Sequence, residues 1–339
     1  MSATWIDDLL GGAPPAEGEC VTRRNVMLVG REGLSRDQKI HEAAQAQTRD
    51  MFAYKWRRES TYASDALRSA QLAWLDSRYG GRNLLEHLGC GANERPLVLD
   101  AGCGAGFSAK LIFNNLFHRI RYVGTDISEA IDIAAREIRA LSMDSFFVQA
   151  DLMRLPLADG AFDVVVAEGV LHHTPSTRDA LHALARLLKP GGIFAFYVYN
   201  KKAPIREFTD DYIREQVADL PPEEAWRAIE SLTRLGVALG ELNVEIAVSE
   251  DVPLLGIVKG QYNIQRLFYW AICKAYYRPE FSFEEMNHIN FDWFTPKYCH
   301  RQTPQEVISW CNEAGLSLEH ITTEEAGITV VARRPATRG

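Results

Sequence analysis

The chain has 339 residues, 47% of them apolar and 24% charged, with a formal net charge of −8 at pH 7. This globular composition excludes a disordered chain, and at ~150 residues per domain it allows two units or one large α/β domain with insertions. No run approaches the ~20 apolar residues of a membrane span, and no dense basic stripe marks a nucleic-acid footprint, so neither a membrane nor nucleic acid is expected as a partner.

Residues 1–20 hold Asp7, Asp8, Glu17 and Glu19 without Lys or Arg, and GGAPPAEGE reads as a loose tail. This acidic start lacks the apolar stretch of a signal peptide, so a cytoplasmic protein is expected. Cys20, Cys90, Cys103, Cys273, Cys299 and Cys311 form no C-x-x-C pair. Their spacings match no zinc pattern, so free thiols and no metal are expected.

Residues 21–95 are read as an N-terminal helical cover. Within it, 21–30 (VTRRNVMLVG) is a short strand or hairpin arm, and Arg36 to Tyr79 is helical, Ala-rich and free of Pro. The aromatic and basic run MFAYKWRREST lies between the helices. From 96 to 200 strands alternate with helices. Strands are predicted over 97–100, 122–126, 146–151, 162–169 and 193–200, with a helix over 107–117. The next helix has Ile131, Ala134, Ala135 and Ile138 on one face, and a later one has Leu181, Leu184, Ala185 and Leu188. Pro190-Gly191-Gly192 stops the latter. Such an alternation predicts an α/β fold, a parallel sheet with helices on both faces.

Residues 201–302 break the pattern. They begin acidic and helical and become aromatic, with 12 of the chain's 34 Phe, Trp and Tyr between Tyr262 and Tyr298. Thr303-Pro304-Gln305-Glu306 is a capping box with Pro at the first helical position. The helix it opens ends at Gly315, and two closing strands follow, so 303–339 is read as the end of the α/β unit.

The sharpest motif is LVLDAGCGAGFSA, a buried strand that turns into a helix through Gly102, Gly104 and Gly106. Glycines there let the backbone approach a ligand closely. Asp126 ends the next strand, 20 residues after Gly106, where a carboxylate can accept both ribose hydroxyls of an adenosine. Asp151, followed by Leu152, ends the third strand and can accept from an adenine amino group. The dinucleotide fingerprint would need glycine at 107, which is Phe107. Asp100, just before the turn, suits a cationic sulfonium with an amino-acid tail better than a pyrophosphate.

With these residues the sequence resembles the class I S-adenosylmethionine-dependent methyltransferases. DAGCGAG is similar to that family's first motif, TDIS to the second, QADLMRLPLADGAFDVVVAEGVLHHTP to the third and fourth, and RLLKPGGIFAF to the segment after the fourth. The resemblance covers about 96–200 and 303–335. It implies a Rossmann-like core of seven strands, mostly parallel with an antiparallel last strand. It also implies S-adenosyl-L-methionine as cofactor, with Asp100 and Gly102 near the methionine moiety and Gly104 and Gly106 under the adenosine. Asp126 and Ile127 would meet ribose and adenine, Asp151 and Leu152 the adenine edge, and Glu168 the methyl-bearing sulfur. The flanks resemble a subset of the family that acts on small metabolites, in Phe52 to Trp56, Val198-Tyr199 and the D-W-x-x-P-x-Y-x-H element from Asp292 to His300.

Residues 201–302 are expected to form a lid at the C-terminal edge of the sheet, where open α/β sheets bind ligands. Tyr54, Trp56, Tyr199, Trp293 and Tyr298 are candidates for the acceptor pocket. Glu207, Asp210, Asp211, Glu215 and Asp219 are read as a solvated helix face. For proton removal the candidate base is His300, ahead of His172; Cys103 is read as packing. The element after the fourth strand, Ala167-Glu168-Gly169-Val170, is not the D/N-P-P-Y type that nucleobase methylation uses. Direct in-line methyl transfer to a small, partly apolar acceptor is expected, at O or N rather than C or S. The alternatives are a non-catalytic adenosine-binding regulatory module and a nicotinamide-dependent oxidoreductase.

Overall fold

A computed structural model describes residues 4–10, 20–23, 26–29, 36–79, 95–141 and 144–336. In chain order its strands are β1 (Cys20–Arg23), β2 (Val26–Val29), β3 (Leu97–Ala101), β4 (Arg121–Asp126), β5 (Ser145–Gln149), β6 (Phe162–Glu168) and β7 (Leu188–Tyr199), then β8 (Glu245–Val248), β9 (Gly260–Asn263), β10 (Ser317–Thr323) and β11 (Gly327–Arg333). Every residue of β3 is buried, as a central strand covered on both faces requires. Around it the main sheet runs β1-β2-β5-β4-β3-β6-β7-β11-β10. The pairs from β2 to β7 are parallel, while β1–β2, β7–β11 and β11–β10 are antiparallel.

The sheet therefore has nine strands, the seven expected of the core and two more. The hairpin β1–β2 supplies the addition, with Met27 opposite Val148 and Leu28 opposite Gln149. It pairs an edge of β5 that would otherwise be left open. Part of the expected loose tail is also structured: helix α1 (Thr4–Leu9) buries Leu9, whose carbonyl accepts from the Ala158 amide at 2.9 Å.

Two apolar layers sandwich the sheet. One gathers Leu99, Val165, Leu184 and Phe196 with Val307 and Cys311 of helix α11 (Pro304–Glu313). The other gathers Val98, Phe113, Tyr122, Ala134, Ile138 and Phe147. Helix α4 (Phe107–Phe113) stops short of the predicted 117, because Asn114 turns to φ 33° and a 3₁₀ turn follows. Helix α5 spans Ile131–Arg139 and α6 spans Thr177–Ala185. Leu188, expected on the face of that helix, is the first residue of β7. The Thr303–Glu306 capping box forms as expected.

The cover and the lid make one helical layer beyond the C-terminal strand ends. The cover supplies α2 (Arg36–Arg57) and α3 (Asp65–Tyr79); the lid supplies α7 (Pro204–Val217), α8 (Pro222–Leu242), α9 (Ile264–Ala271) and α10 (Phe283–Phe294). The antiparallel hairpin β8–β9 within the lid had no signal in the sequence reading. Gln47 of α2 donates to the carbonyls of Ala218 and Thr295, both at 2.8 Å, and so ties cover to lid.

Gly236 shows how closely the lid is packed. A Cβ there would lie 2.7 and 2.8 Å from the carbonyl oxygens of Tyr276 and Ala275, backbone atoms that cannot rotate away. Gly→Ala inside an exposed helix would gain up to ~1 kcal/mol. At this position Gly236→Ala should instead cost about 1–3 kcal/mol through overpacking. Urea unfolding measures the difference, and an equal or higher midpoint for the variant would contradict the close approach.

Candidate active site

The C-terminal ends of β3, β4, β6 and β7 open with the helical layer onto a cavity of about 1430 Å³. A pocket for one drug-sized ligand takes roughly 300–1,000 Å³, so this cavity has room for two.

Its sheet end is built by the glycine turn. Gly102 and Gly104 take φ of 81° and 52°, a left-handed region that favours glycine. A Cβ on Gly104 would lie 2.9 Å from the Trp56 indole nitrogen, and one on Gly102 would lie 2.4 Å from the Val170 side chain. Asp126 accepts from the Gly104 amide at 2.9 Å, and from the amide and hydroxyl of Ser128 at 2.7 and 2.6 Å. Burial raises its carboxyl against the pull of those donors. Asp100 accepts from the Tyr122 hydroxyl at 2.6 Å. Burial, with Asp126 and Glu168 nearby, pushes Asp100 up to about 7. Glu168 pairs with Arg78 at 2.5 Å. The Arg78 guanidinium lies 3.1 Å from the Trp74 ring centre and 4.1 Å from that of Tyr197.

Lid and cover meet at Asp292, whose carboxylate pairs with Lys55 at 2.5 Å. Burial pushes this carboxyl up, but the Lys55 ammonium, with His173 and Lys274, holds it well below the usual carboxylate range. The Tyr199 hydroxyl stands 3.5 Å from Asp292, and its ring 4.6 Å from that of Trp293. His173 Nδ1 donates to the Tyr298 carbonyl at 2.6 Å. Burial pushes His173 down to about 4, which keeps the imidazole neutral at pH 7.

Of the residues singled out from sequence, Asp100, Gly102, Gly104, Asp126, Ile127, Leu152, Glu168, Trp56, Tyr199 and Trp293 line this one cavity. The others lie elsewhere. Gly106 faces Ala134 and Ile138 and lets α4 approach α5. Asp151 accepts from the Met153 amide at 3.0 Å and caps a 3₁₀ turn. Tyr54 packs on Trp226 and Phe291.

Both histidines proposed as the base are also displaced. His172 is fully buried behind the cavity wall, with its ring 3.7 Å from Tyr199. Neither of its ring nitrogens has a hydrogen-bond partner among the described residues. His300 donates from Nε2 to the Thr174 carbonyl at 3.0 Å and lines a separate groove with Pro175 and Arg301. Its amide donates to the carbonyl of His172, in the turn after β6, at 2.9 Å. The ring of Tyr298 stacks on His300, while its carbonyl accepts from His173 at the cavity wall.

The acidic stretch of α7 is not uniformly a solvated face. Asp210 is 1% exposed and pairs with Arg206 at 2.8 Å, and Glu207 and Asp211 pair with Arg301. Sequence reasoning passed over Arg206, Lys202, Lys274, Lys55 and Arg78, all but the last lining the cavity. The i,i+4 spacing of Arg206 and Asp210 was a usable signal. Lys55 stood inside a segment already noted as aromatic and basic.

Residues 99–196 match the family of a methyltransferase domain. A malonyl-[acyl-carrier protein] O-methyltransferase of Enterobacter lignolyticus is 29% identical over 175 residues, 50% of this chain and 57% of that protein. A sterol 24-C-methyltransferase of Aspergillus fumigatus is 36% identical over 168 residues, 48% of this chain and 39% of that protein. The chain thus spans less than two thirds of the length of either relative. Among solved structures, the magnesium protoporphyrin IX methyltransferase of Synechocystis with bound S-adenosylmethionine has a TM-score of 0.46 at 14% identity, covering 90% of this chain and 100% of that one.

The Lys55–Asp292 pair yields a test of the site's electrostatics. Because the folded-state carboxyl of Asp292 is depressed, its pairing stabilises the protein above pH ~4 and is lost as pH falls below that. Lys55→Met leaves the carboxylate buried without a partner, at a cost of about 3 kcal/mol at pH 7. That cost should shrink as pH drops towards 4, because Asp292 then takes up a proton. Urea unfolding at both pH values reads this, and a penalty independent of pH would show that another group is left unpaired.

Proposed function

We propose that this chain, whose residues 99–196 match the family of a methyltransferase domain, is a class I S-adenosylmethionine-dependent methyltransferase that transfers a methyl group to a small-molecule acceptor held between the sheet edge and the lid. The observation that carries this reading is the glycine turn: it opens beside Asp100 and Asp126 into a cavity large enough for two ligands. When bound, the cofactor supplies an electrophilic methyl group on a sulfonium sulfur. The residues present fit it, because Gly102 and Gly104 leave open a cradle that Cβ atoms would fill.

Asp126, its two oxygens oriented by Gly104 and Ser128, accepts the ribose hydroxyls. Ile127 and Leu152 wall the base. Asp100 and Glu168 face the cationic end, and Trp56 closes over it. The acceptor lies against Tyr199 and Trp293. Alignment and exclusion of water are the chain's main contributions, and positioning alone can supply ~7–11 kcal/mol of barrier reduction.

We assign proton removal to His173 in place of His300 and His172. It lines the cavity, it is neutral, and with Nδ1–H committed to the Tyr298 carbonyl its Nε2 lone pair is the accepting site. Burial keeps this imidazole neutral at pH 7, so Nε2 can take the proton that becomes acidic as the new bond forms.

Calorimetry with S-adenosylmethionine tests the cofactor assignment. Asp126→Ala should lose roughly 10–100-fold in affinity, since each hydrogen bond to a charged group contributes ~1.5–3 kcal/mol. Unchanged affinity would overturn it. The raised carboxyl of Asp100 adds a pH signature. A cationic ligand favours the ionised form, so binding should release a proton near pH 6.5 and tighten from pH 6 to 8. Asp100→Asn should abolish both effects. Binding of labelled cofactor without methyl transfer to any acceptor in a metabolite extract would favour a non-catalytic module.

A further inference from the structure

Three cations of the lid surround one indole ring. Lys202 Nζ, the Arg206 guanidinium carbon and Lys274 Nζ lie 5.6, 5.4 and 4.6 Å from the centre of a ring of Trp293. All four residues line the cavity. Two of the three cations are withdrawn from water, with Arg206 1% exposed and Lys274 7%, and Lys202 is partly buried.

Their counter-charge is incomplete. Asp210 is already committed, since Oδ2 accepts from Arg206 and from the Trp293 indole nitrogen, both at 2.8 Å, and Oδ1 accepts from the Lys274 amide at 3.3 Å. The ammonium of Lys202 rests on the carbonyls of Asn200, Glu325 and Ala326, which are dipoles and carry no net charge. Lys274 Nζ makes no hydrogen bond or ion pair with any described residue. The next carboxylate, Asp292, is held by Lys55. Glu207, which also acts on Lys202, is held by Arg301, so Asp210 is the one carboxylate left to these three positive groups.

A buried cation with no counter-ion costs several kcal/mol. The two lysines register this cost. Burial first, then the charge of Arg206, pushes Lys274 down to about 8 and Lys202 down to about 7, against the pull of Asp210 on both and of Asp292 on Lys274. An anion placed among these groups would restore the missing charge and give Lys274 its hydrogen bond.

We propose that Lys202, Arg206 and Lys274, set around the ring of Trp293, form an anion subsite that holds a carboxylate or phosphate group of the methyl acceptor. The subsite gives the cavity a polarity. Its sheet end carries Asp100, Asp126 and Glu168, and its lid end carries the cations. Trp293, Tyr199 and Tyr197 connect the two ends, with ring centres 4.6 and 6.1 Å apart in succession. An acceptor anchored at the lid end would keep its anion away from the sheet-end carboxylates, which repel it, and would direct its nucleophile towards the sheet end. This inference rests on the methyltransferase reading and adds the acceptor's charge to it.

The experiment is calorimetry on the full chain saturated with S-adenosylhomocysteine, titrated with benzoate, with phenyl phosphate and with neutral benzamide. At least one anion should bind, benzamide should bind at least 10-fold more weakly, and Lys274→Met should weaken the anion about 10-fold or more. The two anions separate a carboxylate from a phosphate preference. Lys259→Met, at an exposed position, should leave the affinity unchanged. Lys274→Met should also keep or raise the melting temperature without ligand, because it removes an uncompensated charge, so lost binding cannot be ascribed to unfolding. Benzamide binding as tightly as benzoate overturns the proposal. So does wild-type anion affinity in Lys274→Met, or binding of S-adenosylhomocysteine with no binding of either anion. Failure of S-adenosylhomocysteine itself to bind overturns instead the cofactor reading on which the acceptor role rests.

Discussion

One ion pair joins the two layers that roof the cavity. Lys55 comes from the cover helix and Asp292 from the last lid helix, and their side chains meet over the strand ends at 2.5 Å. Around this pair stand His173, Tyr199 and Lys274, each of which feels the charge of Asp292. Neither layer completes the wall alone. A carboxylate in such a place is tolerable only with a cation against it, so cover and lid are obliged to close together. The same helices also contribute Trp56 and Trp293 to the two ends of the cavity.

Burial of charge recurs across the site with different outcomes. Arg78 and Glu168 are both nearly inaccessible and neutralise one another beneath Trp74 and Tyr197. Asp100 has a tyrosine hydroxyl and two neighbouring acids but no cation, and its carboxyl rises to about 7. Lys274 has an aromatic face and neighbouring cations, and its ammonium falls to about 8. Groups left short of counter-charge mark the places where a charged ligand relieves the deficit. By that criterion the sheet end invites a cation and the lid end an anion.

The histidines illustrate what chain position does not convey. His172 and His173 are adjacent, but in the short turn after β6 one ring is buried behind Tyr199 and the next reaches the cavity. His300 ends a segment that begins at the cavity with Asp292 and Trp293 and reaches the second groove by Lys297 and Cys299. The backbone bond from its amide to the His172 carbonyl carries it past the wall to a second groove.

The sequence by itself determined the α/β order from Leu97 to Tyr199, the glycine turn, the acid at the end of β4 and the capped final helix. These are local: a strand of buried residues, a turn that only glycine enters at positive φ and an N-cap are each set by a few consecutive residues. It also marked 201–302 as a break in the α/β alternation, though not the β8–β9 hairpin within it. Only the tertiary structure decided which lid and cover side chains share the cavity. Lys55 is 237 positions from Asp292 and Arg78 is 90 from Glu168. No periodicity links residues at such distances, and the sign of each helix face depends on what packs against it. The acidic run of α7 looked solvated for that reason, but one member, Asp210, is the buried partner of Arg206.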